Sequence, residues 1–229
     1  MLRDIIKTSA YFNAYIENED KRIAKFSEKL STLVDENKKS QCEGYIASFI
    51  KNKMSAQYSR GDSREEVRKT FDAYLEHIGK SKISSYADYV DMLSLLVIFD
   101  VDTSKLRGLK SEGVKNDALM QSLLSHIVKK ASDKKISVLA YPDTYSSFYD
   151  FLEEKISEKE LLDFVSTKWY ASCKDVYWYD SHKSKENTYA GYWCWLAAAV
   201  LKIKNGHFST EISCKYFPSD LGSVSITGS

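Results

Sequence analysis

The sequence predicts an all-α protein, a compact multi-helix bundle of about nine to eleven helices in two helical subdomains sharing a core. Three observations carry this. Two Pro and nine Gly in 229 residues are too few for the many tight turns of a sandwich or barrel. Helix-start signatures precede apolar stripes at helical spacing. No stretch sustains the period-two alternation of a half-buried strand. With 43% hydrophobic residues and 16 Tyr, the chain can bury enough apolar surface to offset its ordering entropy.

Along the chain, Leu2 to Ile16, Ile23 to Val34 and Tyr45 to Tyr58 have helical periodicity without strong caps. Ser63-Arg64-Glu65-Glu66 fits a capping box, in which Ser63 accepts from a free backbone N–H and Glu66 reaches back. Val67, Phe71, Tyr74, Leu75 and Ile78 then form one stripe, and Gly79 supplies a stop. Ser85 with Asp88 opens the next helix, whose last turn, Leu95 to Phe99, is apolar on all sides and so reads as buried. Asn116 to Val128 carries Leu119, Leu123 and Ile127. Val138 to Tyr141 reads as a loop, because Pro142 and Asp143 follow it and mark a helix start before Tyr145 to Ile156. Ser157 with Glu160 repeats the capping box ahead of Leu161, Phe164, Val165 and Trp169. The run from Tyr192 to Leu201 is apolar around most of its circumference and reads as the central core helix. The seam is read between Gly108 and Lys115, where two Gly and several charges concentrate, with the polar stretch Lys129 to Lys135 as the alternative, giving domains 1–112 and 113–229.

Lys+Arg 33 against Asp+Glu 32 leaves a net charge of +1, which argues against a nucleic-acid sleeve or a polybasic membrane binder. The first residues, MLRDIIKTSAYFNAY, are interrupted by Arg3, Asp4 and Lys7 and do not read as an export signal. The most apolar run, Tyr189 to Leu201, falls short of the roughly 20 residues needed to span a bilayer. These features predict a cytoplasmic protein. Cys42, Cys173, Cys194 and Cys214 are scattered without a C-x-x-C pair and read as reduced, mostly buried thiols.

The densest segment, Lys168 to Ile203, contains all four Trp. Large aromatics contribute most area to a core, so packing is the favoured reading for Trp169, Trp178, Trp193 and Trp195, with His182 and Tyr192 beside them. Cys173, His182 and Asp180 are the only arrangement suggesting a nucleophilic triad, and hydrogen bonding within a loop explains His182 and Asp180 better. There is no G-x-x-x-x-G-K-[ST], G-x-G-x-x-G, G-x-S-x-G or H-E-x-x-H. No enzyme activity, cofactor or metal is therefore expected. On residues alone this is a helical domain that offers a surface to another macromolecule.

Several motifs nevertheless occur in a specific order. The C-terminal half has Lys168-Trp169-Tyr170, then Tyr177-Trp178-Tyr179-Asp180-Ser181-His182-Lys183. Tyr189-Ala190-Gly191-Tyr192-Trp193 is followed by Ala197-Ala198-Ala199, Lys202-Ile203 and Tyr216-Phe217-Pro218-Ser219-Asp220-Leu221. The N-terminal half has Arg3-Asp4, Tyr11-Phe12, Arg22-Ile23, Ala56-Gln57-Tyr58-Ser59-Arg60-Gly61 and Tyr89-Val90-Asp91-Met92-Leu93. In these motifs the chain resembles the PoNi family, immunity proteins against PoNe-type polymorphic DNase toxins. It departs at Leu196, where the family often has Glu, and at Phe217-Pro218-Ser219-Asp220, where Tyr-Pro-Tyr-Asp is usual.

The resemblance implies an all-α protein that binds one cognate nuclease toxin, encoded by the adjacent gene, and blocks its DNA cleavage in interbacterial competition. It implies no direct contact with nucleic acid or membrane, and a homodimer is left open. A nuclease must be positive where it holds phosphate, so acidic side chains would steer the encounter. Asp175, Tyr179, Asp180, Glu186 and Asp220 are the candidate toxin contacts. The alternative is a helical interaction scaffold without a nuclease partner.

Overall fold

The structure is a computed structural model that describes residues 1–81, 83, 85–101, 117–130 and 136–222. The predicted seam from Gly108 to Lys115, residues 131–135 of the alternative seam and residues 223–229 lie outside the described residues. The described chain is all-helical, without strands, and packs as two units.

The first unit holds α1 (Ser9–Thr32), α2 (Glu36–Arg60) and α3 (Arg64–Ile78), together with Asp180–Gly191. The short links between these helices fold each back on its predecessor, and α2 lies between α1 and α3. Each start is capped by a side-chain oxygen that satisfies an orphan amide: Thr8, Asp35 and Ser63. The predicted Ser63–Glu66 box is present in both directions. The core is Phe12, Tyr15 and Ile16 from α1, Ile46, Phe49, Ile50 and Met54 from α2, and Val67, Phe71 and Tyr74 from α3.

One position on the inward face of α1 is charged. Glu19 is fully buried, one turn beyond Tyr15 and Ile16. Its Oε1 accepts from Arg22 at 2.8 Å, while Oε2 has no hydrogen-bond partner. Burial pushes the Glu19 carboxyl above its usual range, opposed by the Arg22 charge.

α2 ends on Gly61, at φ +105. A Cβ there would stand 1.9 Å from the Met1 carbonyl oxygen, so only glycine allows both this backbone and this approach. The predicted stop at Gly79 is where α3 ends, in ordinary right-handed geometry.

The second unit contains α4 (Tyr86–Ile98), α5 (Ala118–Ile127), α6 (Pro142–Leu152), α7 (Glu158–Phe164) and α9 (Trp195–Asn205). From α7 the helix passes through a π segment, Val165–Trp169, into α8 (Tyr170–Ser172). α9 packs against α4, α6 and α7, and every residue from Trp195 to Leu201 is buried, as a central helix requires. α4 presents Leu93 and Leu95 through Ile98 to the same core, joined by Leu119 and Leu123 of α5 and Phe148 of α6. At the C-terminal end of α4, Lys202 Nζ donates to the Ile98 carbonyl at 3.0 Å and pairs with Asp100 at 2.5 Å, meeting the negative end of the helix dipole with a cation. Ser85 caps α4, Asp117 caps α5, and the Ser157–Glu160 box caps α7.

Among the described residues there are eight helices once α8 is taken as the end of α7, slightly fewer than expected. The difference lies in α1, which begins at Ser9, leaving Leu2 to Thr8 of the first predicted stretch outside any helix, and then runs unbroken from that stretch into the second, ending at Thr32. No Gly or Pro separates them. No described helix is long and apolar enough to cross a membrane.

Candidate functional site

In the first unit, motif residues distant in sequence form one hydrogen-bonded cluster. Arg3 donates to the carbonyls of Tyr58 and Asp62, each at 2.8 Å, with its guanidinium 4.4 Å from the Tyr58 ring centroid. Buried Asp4 accepts from the amides of Ile6 and Lys7 through Oδ1, and from the Tyr189 hydroxyl at 2.5 Å through Oδ2. The Tyr11 hydroxyl donates to the Tyr189 carbonyl and accepts from the Tyr189 amide. Ser59 donates to the Ala190 carbonyl at 2.8 Å. These contacts fasten Asp180–Gly191 to α1 and α2, so Arg3-Asp4, Tyr11, Tyr58-Ser59 and Tyr189-Ala190 have an architectural function.

The candidate contacts divide between the units. Asp180 and Glu186 lie on the fastened segment of the first. Asp180 adopts φ +59 and pairs with Lys183 at 2.7 Å, which shapes the single 3-10 turn Ser181–Lys183. Glu186 is exposed. Half-buried His182 lies edge-on to the Tyr189 ring at a centroid separation of 6.2 Å. Asp175, Tyr179 and Asp220 belong to the second unit, Asp175 and Asp220 exposed and Tyr179 half-buried.

Of the six residues assigned to packing, Trp169, Tyr192 and Trp195 are buried, whereas Trp178, Trp193 and His182 are half-buried. Around Trp169 and Tyr192 the second unit builds an aromatic ladder. Tyr170 stacks on Tyr179 at a centroid distance of 4.7 Å and on Tyr216 at 5.7 Å. Trp178 contacts Trp169 at 5.8 Å and Tyr192 at 5.5 Å. Tyr170, Trp178, Tyr179 and Tyr216 are all partly exposed. The sequence motifs include Tyr170 and Tyr216, but neither is among the candidate contacts or the packing residues. The i, i+9 spacing of Tyr170 and Tyr179 gave no cue, because the turn between them is irregular.

The Cys173 thiol is buried, which pushes its pKa up to about 12, so at neutral pH it carries almost no nucleophilic thiolate. Cys194 is buried and shifted the same way. Among the described residues no group of three or more His, Cys, Asp or Glu is arranged to hold a metal. A recess of about 270 Å³ lies at the C-terminal ends of α4 and α5, lined by Leu96, Asp100, Val101 and His126 among others. Burial lowers the His126 pKa, which favours the neutral imidazole there.

The fold has a counterpart in the crystal structure of protein PA2201 from Pseudomonas aeruginosa. The TM-score is 0.65 at 12% identity, over 93% of this chain and 86% of that one. At that identity the likeness concerns the fold alone. No curated protein matches the chain in sequence. Two family models match it: PoNe immunity protein (PoNi), N-terminal, over residues 3–111, and PoNe immunity proteins (PoNi), C-terminal, over residues 115–221. Together they account for nearly every described residue, and the chain therefore belongs to the PoNi family of immunity proteins.

Proposed function

We propose that this protein neutralises a cognate PoNe-type DNase toxin by binding it directly and blocking DNA cleavage, so protecting the producing cell during interbacterial competition. The observation that carries the reading is the match of both PoNi models across residues 3–221. The protein acts in the cytoplasm, where the chromosome needs protection, and it acts by occupancy, without turnover. Buried thiols support a non-catalytic role, since Cys173 lacks the thiolate that a nucleophile requires. Asp175 and Asp220, and on the other unit Asp180 and Glu186, supply negative charge that would steer a positive nuclease surface.

Co-expression in bacteria tests this. A PoNe-type nuclease domain encoded beside the gene should kill a host lacking this protein and spare a host expressing it, with intact chromosomal DNA in the second. Equal killing in both hosts would contradict the proposal. A fixed Cys173→Ser variant should protect as well as the wild type.

A further inference from the structure

We infer that the half-exposed ladder Tyr179–Tyr170–Tyr216, with Trp178, is a docking surface for arginine and lysine side chains of the nuclease. The inference rests on the immunity reading and specifies which surface and which chemistry mediate it.

Position is the first observation. The second unit has an extensive aliphatic core, from Leu93 and Leu95–Ile98 to Ala197–Leu201. Trp169 and Tyr192 are the fully buried members of the ladder, 5% and 4% exposed, and Trp178 lines a small interior cavity beside Trp195 and Leu196. The ladder's remaining rings keep part of their area in solvent. Tyr and Trp so placed have the composition of an interface centre: large rigid area with few rotatable bonds, and polar tips that remain hydrated.

Backbone geometry is the second. Tyr216 stands at φ +69, a region that bulky residues avoid. The conformation is held from both sides, by the Cys194 amide donating to the Tyr216 carbonyl at 2.8 Å and by the Phe217 amide bonding the Cys214 carbonyl. Glycine would meet the same backbone demand without steric strain. A tyrosine here keeps its ring in the ladder against the local preference, as residues at binding sites do.

The third observation concerns the chemistry of the occupant. Lys215 Nζ lies 4.7 Å from the Tyr216 ring centroid, so the ladder already holds a cation of its own chain. A nuclease binds phosphate with guanidinium and ammonium groups. Those groups fit tyrosine faces, and occupying them removes them from DNA. Single-stranded DNA could also stack on such rings, but the chain's even charge and its membership of an immunity family favour the protein partner.

The test compares wild type, Tyr216→Gly and Lys215→Met for binding to the purified cognate nuclease domain by titration calorimetry, with thermal melts and a fluorescent oligo-dT probe in parallel. Tyr216→Gly should weaken binding roughly 30-fold or more, the scale of losing an interface anchor, while melting within a few degrees of the wild type. Lys215→Met should bind several-fold tighter, because a competing like charge is gone. Undiminished binding by Tyr216→Gly, a collapsed melt for that variant, or oligo-dT binding that depends on Tyr216 would each overturn the inference. Failure of the wild type to bind the nuclease would instead remove the immunity reading, and this inference with it.

Discussion

The Tyr189 hydroxyl donates to Asp4 at 2.5 Å, joining residues 185 positions apart within a single unit. Asp4 is buried and also terminates two backbone amides, so the bond organises the N-terminal segment and the returning segment Asp180–Gly191 together. A charge-assisted bond of this kind is stronger than a neutral one.

Tyr189→Phe should therefore destabilise the protein by about 1–3 kcal/mol, the scale of leaving a buried charged acceptor short of one donor. Chemical denaturation monitored by circular dichroism measures it. Combined with Asp4→Asn, the two losses should be clearly less than additive, as expected of partners in one bond.

Gly61→Ala places a side chain at φ +105, with its Cβ 1.9 Å from the Met1 carbonyl oxygen. The left-handed strain alone is about 1–2 kcal/mol, and the clash adds displacement of the segment hydrogen-bonded through Arg3 and Asp4 to Ser59. The expected outcome is a lowered melting temperature with faster hydrogen exchange at the amides of Arg3 and Asp4.

Glu19 gives a pH dependence whose sign follows from its burial. Its folded pKa lies above the unfolded carboxylate value, so the folded state binds the proton more tightly. The corresponding stability is fully present below the unfolded pKa and is lost as pH rises through the raised one. Relative to Glu19→Gln, which does not titrate, the wild type should gain stability as pH falls through that window. Melts of both proteins from pH 7 down to the ordinary carboxylate range check it, and a constant difference would contradict it.

Asp175→Lys reverses an exposed charge in the second unit. It should slow association with the nuclease several-fold at low salt, with the effect fading as salt screens the field, and leave the melt unchanged. Stopped-flow association at two ionic strengths separates this from a loss of fold.

Local features were legible in the sequence because their physics is local. Ser63 with Glu66 and Ser157 with Glu160 form reciprocal boxes where the spacing placed them, and the apolar run around Trp195 to Leu201 is the central helix of its unit. The two predicted stretches that α1 joins leave a gap that spans Glu19, a carboxylate on the inward face where an apolar residue would have continued the stripe; its partner Arg22 lies three residues on along the same helix, and only packing makes Glu19 buried. The Asp4–Tyr189 bond depends on long-range packing that no spacing encodes. For the candidate surface, aromatic density flagged the segment, but the exposure of Tyr170 and Tyr179 and the left-handed backbone of Tyr216 are tertiary properties.

The central claim is direct neutralisation of a nuclease. Plasmid cleavage by the product of the neighbouring toxin gene, assayed while this protein is titrated against it, tests that claim most directly. The account predicts that cleavage stops at a one-to-one ratio, with a stable complex on size exclusion. Undiminished cleavage at excess protein, with no complex formed, would contradict it.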